Sequence, residues 1–208
     1  MTPRRLDQPR LIDAVHALAA IDSDLAGIVD RHGPPPLWER RPGFETLVGI
    51  ILEQQVSLAS AESARQRLVR AAGAVDPDSI VRIGEDGLRA AGLTRHKARY
   101  LVGLAGDVLS GQLDLEAADV AGDEEVRTRL TSVLGIGRWT ADIYLLMALG
   151  RPDIWPTGDI ALASAMRRAK VLTALPSGAQ QLATAEPWRP WRAVAARLLW
   201  HAYLAGER

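Results

Sequence analysis

The chain has 208 residues, of which 25 are basic, 25 are acidic and none is cysteine, and 48% of its residues are hydrophobic. Such a length buries a core in one domain or two small ones. Disulfides, thiolate zinc sites and cysteine-ligated iron–sulfur clusters are excluded, and the zero net charge gives no global sign of a polyanionic partner.

Eight segments carry apolar residues at helical spacing and are rich in Ala, Leu and Arg, which favour helices: 9–21, 43–57, 59–72, 95–109, 124–133, 138–149, 159–170 and 190–205. Strand signals are nearly absent, and Gly and Pro separate the segments. The sequence therefore predicts an all-α fold in a single compact unit, in which two helical lobes, one before and one after about residue 120, are also compatible with this length. Because no apolar run could span a bilayer and no signal peptide begins the chain, we expect a soluble protein of the cell interior.

The segment 131–141 has the pattern of a helix end, a turn with two glycines and a new helix. Leu134 and Ile136 are predicted to be buried, while Gly135 and Gly137 accept backbone angles that other residues resist. The first N–H groups of the new helix would then face outward as a site for a phosphate oxygen. An ordinary tight helical turn is the alternative interpretation of this pattern.

Asp159 follows a loop rich in Gly and Pro at 150–158 and begins the predicted helix that continues to residue 170. An Asp at this position is commonly only an N-cap. The same position holds a carboxylate rigidly, so that it can face a cleft. Helix cap and catalyst are both compatible with the sequence.

Five blocks of sequence together resemble the helix-hairpin-helix (HhH-GPD) DNA glycosylases, and are most similar to the DNA-3-methyladenine glycosylase II branch. In chain order they are the segment 44–68 with Ile51-Leu52-Glu53-Gln54-Gln55-Val56-Ser57, the segment 92–101, the hairpin 134–141, the loop 156–159 and the W-x-P-W-R signature at 188–192. Their shared order covers most of the chain from residue 43, and is far more specific than any single motif.

The resemblance implies a compact two-lobed helical glycosylase core with a DNA-binding cleft at 43–208. Residues 1–42 are expected to form a helical segment that packs on this core, without the amino-terminal sheet domain of some longer relatives. The implied partner is double-stranded DNA with damaged bases. The protein is expected to act as a monomer in the cytoplasm, associated with the bacterial nucleoid.

By resemblance, Asp159 is the catalytic carboxylate of a base excision repair enzyme that flips out alkylated, cationic bases such as 3-methyladenine and 7-methylguanine and hydrolyses their N-glycosidic bonds. Bifunctional members carry a nucleophilic lysine where this chain has Trp139, so lyase activity is not expected. No cofactor and no iron–sulfur cluster is required, and the resemblance allows a monovalent cation at the hairpin.

The resemblance also assigns the remaining site residues. Trp139, Trp188 and Trp191 form the predicted base pocket, in which electron-rich indoles attract a cationic base, although tryptophan is equally common in a core. Gln55, with its neighbour Gln54, is the predicted wedge that fills the gap in the stack, unless the pair only caps or lines helices. The predicted contacts to the DNA backbone, some of which could be merely solvated, are Gly135, Gly137, Arg138, Thr140, Arg95 and Lys97.

Two other functions remain open from the sequence. A related glycosylase for a mismatched or oxidised base would use the same Asp159 with a different pocket. A non-catalytic helix-hairpin-helix DNA-binding module would use Asp159 only as a cap and the tryptophans only as core.

Overall fold

The computed structural model describes residues 5–206, and this range contains helices and connecting loops but no strand. The all-α prediction is confirmed. Within the same range no helix is both long and apolar enough to cross a membrane. The helices are α1 Gln8–Ile21, α2 Ser23–His32, α3 Phe44–Glu53, α4 Leu58–Ala72, α5 Pro77–Ala90, α6 Arg95–Leu109, α7 Leu115–Val120, α8 Asp123–Thr131, α9 Arg138–Ile143, α10 Ile160–Ala169, α11 Gly178–Ala185 and α12 Arg192–Leu204. A π-helical turn, Tyr144–Ala148, extends α9, and a 3-10 turn, Glu186–Trp188, follows α11.

Short polar side chains set where many of these helices begin. Asp22 accepts hydrogen bonds from the backbone at the start of α2, Thr94 does so for α6 and Asp159 for α10. Each of these oxygens satisfies a backbone N–H that the first turn of a helix leaves without an intrahelical partner. Local sequence therefore fixes the first residue of α2, α6 and α10.

The helices form two compact units. Unit 1 is Arg40–Tyr144 and contains α3 to α9, and its core includes Leu47, Ile51 and Leu101. Unit 2 combines residues 5–39 with residues 145–206, so that it contains α1, α2 and α10 to α12.

Unit 2 explains where the amino-terminal helices belong. α1 and α2 pack on each other and on α12, and they bury Leu18, Leu25 and Ile28 completely or nearly so. The chain passes from unit 1 to unit 2 at Tyr144, not near residue 120 as the sequence predicted. The physical reason is that the apolar faces of α1 and α2 are covered by the last helix of the chain.

Arg197 is a buried cation at the centre of unit 2. Its guanidinium donates hydrogen bonds to the carbonyl oxygens of Leu37, Ala193 and Leu146 at 2.9 to 3.1 Å. Burial lowers the pKa of Arg197 to about 10, so the side chain stays charged at neutral pH. Arg197 thereby joins α12 to the connection before α3 and to the π-helical turn.

Candidate active site and nucleic-acid interface

The hairpin of unit 1 lies between α8 and α9. Ile136 donates its backbone N–H to the carbonyl of Val133 at 3.1 Å, and both side chains are buried. Leu134, which the sequence predicted to be buried, is 49% exposed. The physical reason is the turn itself: Val133 and Ile136, three residues apart and joined by this hydrogen bond, share its buried side, and Leu134 lies on the other side.

The two glycines of the hairpin serve different purposes. Gly135 has a φ of 88°, and a Cβ atom there would lie 2.2 Å from the ring of Tyr100. Gly137 is the N-cap of α9 with an ordinary φ of −88°, so the prediction that it needs an unusual backbone angle was wrong. A Cβ on Gly137 would meet no atom within 4 Å. Its missing side chain keeps the start of α9 open for another molecule's backbone.

Gln54 lies at the end of α3, and its side chain points into unit 1. Its Nε2 atom donates to the carbonyl of Gly135 and to Oγ1 of Thr140, each at 2.9 Å. Thr140 is only 2% exposed. These hydrogen bonds join Gln54 and Thr140 inside unit 1, and the DNA contacts of both residues stay predictions.

Gln55, the predicted wedge, is exposed and follows α3 directly. Its φ of 58° places it in the left-handed region, which residues with a Cβ seldom occupy. Val56 and Leu58, the next apolar side chains, are 45% and 64% exposed. Backbone strain of this kind concentrates at functional sites, where the surrounding structure holds it. The wedge role of Gln55 stays a prediction that this geometry favours.

The predicted basic contacts divide into one half-buried and two exposed side chains. Lys97 donates its Nζ to the carbonyl of Leu52 at 2.7 Å, and burial lowers the pKa of Lys97. The ammonium thus caps the end of α3, and its phosphate contact stays a prediction. Arg95 is exposed at the start of α6, and Arg138 is exposed at the start of α9. Both remain predicted phosphate contacts.

Asp159, in unit 2, is the N-cap of α10 and is half-buried. Its Oδ1 atom accepts a hydrogen bond from the backbone N–H of Leu162 at 2.7 Å and another from the indole N–H of Trp200 at 3.3 Å. The carboxylate is thus held by the helix that it begins and by α12. Trp200 was not predicted, because within the apolar run of α12 it cannot be distinguished from a core residue.

The three predicted pocket tryptophans lie in different surroundings. Trp188 is 1% exposed, donates its indole N–H to Asp22 at 2.8 Å and has its ring centroid 5.6 Å from that of Trp155. Its predicted place in a base pocket is corrected, since the side chain is almost fully buried and its N–H is bonded within unit 2. Trp191 is half-buried at the start of α12, and Trp139 is half-buried in the first turn of α9. Both remain predicted pocket residues.

Comparison with known proteins now defines the class to which this arrangement belongs. Residues 48–190 match the family model described as HhH-GPD superfamily base excision DNA repair protein. The chain belongs to this superfamily, as the five sequence blocks predicted.

Two relatives and one solved structure are named for the same activity. DNA-3-methyladenine glycosylase 1 of Schizosaccharomyces pombe is 28% identical, over 85% of this chain and 79% of its own length. YfjP of Bacillus subtilis, provisionally named a DNA-3-methyladenine glycosylase, is also 28% identical, over 86% of this chain but 66% of its own length. A solved structure of the S. pombe 3-methyladenine DNA glycosylase in complex with abasic DNA has a TM-score of 0.86 and 26% identity, and the match covers 94% of this chain and 98% of that one.

Proposed function

We propose that the protein is a monofunctional DNA glycosylase that releases alkylated, cationic bases such as 3-methyladenine and 7-methylguanine from double-stranded DNA. The proposal rests mainly on the carboxylate of Asp159, of which one oxygen accepts hydrogen bonds from both a backbone N–H and an indole N–H. The names of the relatives support the choice of substrate class, and the S. pombe complex with abasic DNA supports DNA as the partner.

The chemistry requires a fixed negative charge near the sugar. Cleavage of an N-glycosidic bond builds positive charge on the sugar, and a preorganised carboxylate stabilises that charge without reorganising in the transition state. Asp159 supplies this charge or positions the attacking water. A cationic base is already a good leaving group, so that no general acid has to protonate it.

Unit 1 provides the contacts that the proposed reaction needs with the double helix. The open start of α9 at Gly137 binds a phosphate oxygen through backbone N–H groups, a contact that grips DNA without reading its sequence. A base inside a duplex must rotate out before any carboxylate reaches its sugar, and Gln55 fills the space that it leaves. Arg138 adds positive charge beside the hairpin.

Trp139 gives the proposed enzyme its selectivity and its product. An indole attracts a cationic ring through cation–π interaction, worth about 0.5 to 2 kcal/mol. The same position carries no amine, so no Schiff base with the sugar forms and the strand stays intact. The expected product is an abasic site, and replacement of Trp139 by Ala is expected to slow release of cationic bases.

No cofactor is required for this proposal, and a monovalent cation at the hairpin remains part of it. Within residues 5–206 no backbone N–H donates to the carbonyls of Leu134 and Ile136, whereas that of Gly135 accepts from Gln54. Those two carbonyls would hold the cation, which would add positive charge beside a bound phosphate. We further propose that the protein acts as a monomer in the cytoplasm, at the nucleoid.

The test is chromatography of the bases released from alkylated DNA by the wild type and by Asp159→Asn. Asn is as good an N-cap as Asp, so α10 is retained while the charge is lost. We expect the variant to release no base and to bind duplex DNA as the wild type does. The matched control is Asp114→Asn, the same change at the exposed N-cap of α7.

Three results would contradict the proposal. Base release by Asp159→Asn at the wild-type rate would remove Asp159 from catalysis. Release of mismatched or oxidised bases by the wild type, without release of methylated ones, would assign a different lesion to the same carboxylate. Binding of DNA without release of any base would indicate a non-catalytic module.

A further inference from the structure

The turn that presents Gln55 is held from two sides of unit 1. On one side, Lys97 of α6 donates its ammonium to the carbonyl of Leu52, 2.7 Å away. The last carbonyls of a helix lack intrahelical partners, so this contact satisfies one of them and fixes the end of α3. Lys97 is half-buried, and burial lowers its pKa, which agrees with an ammonium directed inward.

On the other side, the side-chain amide of Gln54 connects the turn to the hairpin. Its nitrogen donates at 2.9 Å to the carbonyl of Gly135 in the hairpin and at 2.9 Å to Oγ1 of Thr140 in α9. Gln54 is the residue immediately before Gln55. The position of the exposed Gln55 is therefore fixed with respect to the hairpin through one amide group.

A third contact keeps the hairpin in place from α6. The ring of Tyr100 occupies the space over Gly135 that a side chain would need, and Tyr100 follows Lys97 on the same helix by one turn. Three blocks that lie far apart in the sequence thus meet at the wedge turn. The polar side chains of these blocks form hydrogen bonds within the blocks themselves. Gln55 is the side chain of this turn that stays exposed.

We propose that Gln54 and Lys97 are positioning residues, which hold Gln55 in its left-handed conformation and couple phosphate binding at the hairpin to insertion of the wedge. The inference rests on the proposed function. A wedge held at a fixed distance from a bound phosphate enters the stack without first ordering its own loop, and preorganisation of this kind lowers the entropic cost of flipping. Gln54 and Lys97 act through Gln55.

The experiment separates binding of DNA from flipping. Duplex affinity is measured by fluorescence anisotropy, and flipping by the fluorescence of 2-aminopurine placed beside an alkylated base in the same duplex. The variants are Gln54→Leu and Lys97→Met, which remove the donors at nearly constant length. Lys97→Arg retains a donor, and Gln66→Leu makes the same change as Gln54→Leu at an exposed glutamine, whose side chain donates a hydrogen bond to Glu62 within α4.

We expect Gln54→Leu and Lys97→Met to bind duplex DNA within about threefold of the wild type but to flip the base about tenfold less, as loss of one or two part-buried hydrogen bonds implies. Lys97→Arg should restore most of the flipping, and Gln66→Leu should match the wild type. A variant that had only lost stability would show similar losses of duplex binding and of base flipping. If Gln54→Leu does not fold, Lys97→Met carries the same test.

A double variant tests whether the effect passes through Gln55. If Gln54 acts by positioning Gln55, then Gln54→Leu adds no further loss of flipping to Gln55→Ala. Additive losses, or equal loss of binding and flipping, would overturn the inference. A wild-type protein that flips the base without releasing it would refute the proposed glycosylase activity and leave this inference standing, so the two failures are distinguishable.

Discussion

The indole N–H of Trp200 lies 3.3 Å from Oδ1 of Asp159, the same oxygen that accepts the backbone N–H of Leu162. Trp200 is 8% exposed in α12, and Asp159 begins α10. Two donors on one oxygen restrict the rotation of the carboxylate. The first hydrogen bond belongs to the helix cap, while the second comes from a different helix and adds nothing to capping.

Trp200→Phe should therefore slow base release without affecting DNA binding. Phe retains the aromatic ring and removes only the N–H, and loss of one hydrogen bond to a charged group corresponds to about a tenfold decrease in rate. Single-turnover release from methylated DNA measures the effect. Trp155→Phe is the control, since it removes a buried indole N–H that donates to Gln181 in the same unit. Equal rates for Trp200→Phe and the wild type would show that Trp200 does not position Asp159.

The two glycines of the hairpin predict opposite effects of the same substitution. Gly135→Ala places a Cβ 2.2 Å from the ring of Tyr100 at a φ of 88°, so we expect the free energy of unfolding to fall by about 2 to 4 kcal/mol. Gly137→Ala meets no atom and has an allowed φ, so stability should change by less than about 0.5 kcal/mol.

For duplex affinity we expect the opposite order, with the larger loss in Gly137→Ala. A methyl group on Gly137 would stand at the open start of α9, where the phosphate is proposed to bind, and we expect duplex affinity to fall about tenfold because backbone contacts position the DNA. Urea denaturation and fluorescence anisotropy measure the two quantities. A Gly137→Ala protein that binds duplex DNA as tightly as the wild type would place the phosphate elsewhere.

The sequence predicted eight helical segments and missed α2, α5, α7 and α11. α2 is mostly polar, α5 contains Gly84 at a non-helical φ of 64°, and α7 has six residues. Polar composition, an internal glycine and short length each weaken the local signal for a helix, and packing against neighbours supplies the remaining stability. The grouping of α1 and α2 with α12 is a long-range contact, which no local pattern encodes.

Motifs identified where the candidate site lies better than what each residue does. Lys97 and Trp188 belong to blocks shared with the family, and both were assigned to ligand contact, whereas the structure uses them to cap α3 and to build the core of unit 2. A motif shows only that a residue type recurs at a position. A requirement of packing and a requirement of chemistry both lead to such recurrence. Trp200 is the opposite case: it was not assigned to the site, because its position within an apolar run gives no indication of its polar contact with Asp159.

The charged cluster around Asp22 predicts how stability varies with pH. Burial alone would raise the pKa of Asp22, but hydrogen bonds from Lys170, Trp188 and the N–H of Leu25 outweigh it, and the pKa lies below 3.8. Burial alone would lower the pKa of Lys170, but hydrogen bonds to Asp22 and Asp24 outweigh it, and the pKa lies above 10.5.

The direction of each pKa shift determines the pH range in which the residue stabilises the fold. The contribution of Asp22 is present above the pKa of the unfolded state and is lost as pH falls through the lower folded value. That of Lys170 is present below its unfolded pKa and is lost as pH rises through the higher folded value. The pair therefore stabilises unit 2 fully between about pH 4 and pH 10.

Lys170→Met tests this pair. The variant leaves Asp22 largely buried without its cation, and we expect the free energy of unfolding at pH 7 to fall by about 2 to 3 kcal/mol. The difference from the wild type should narrow below pH 4, which urea denaturation across pH measures. Glu62→Gln, which breaks the exposed pair with Arg65, should change stability little at any pH. A pH-independent deficit in Lys170→Met would assign the loss to packing alone.

The left-handed conformation of Gln55 is expected to lower stability while its side chain supports base flipping. Two substitutions distinguish these effects. A residue with a Cβ pays for the left-handed region, in which Gln55 has a φ of 58°, and glycine does not. Gln55→Gly should therefore raise the free energy of unfolding by about 0.5 to 1 kcal/mol, whereas Gln55→Ala retains the strained backbone and should leave it nearly unchanged. Both variants lack the side chain that fills the stack, so both should flip the base about tenfold less than the wild type, as expected when the gap left by an extruded base is not filled. Urea denaturation and 2-aminopurine fluorescence measure the two effects. A Gln55→Gly protein that is more stable and flips the base as the wild type does would show that the strain at Gln55 serves some role other than the wedge.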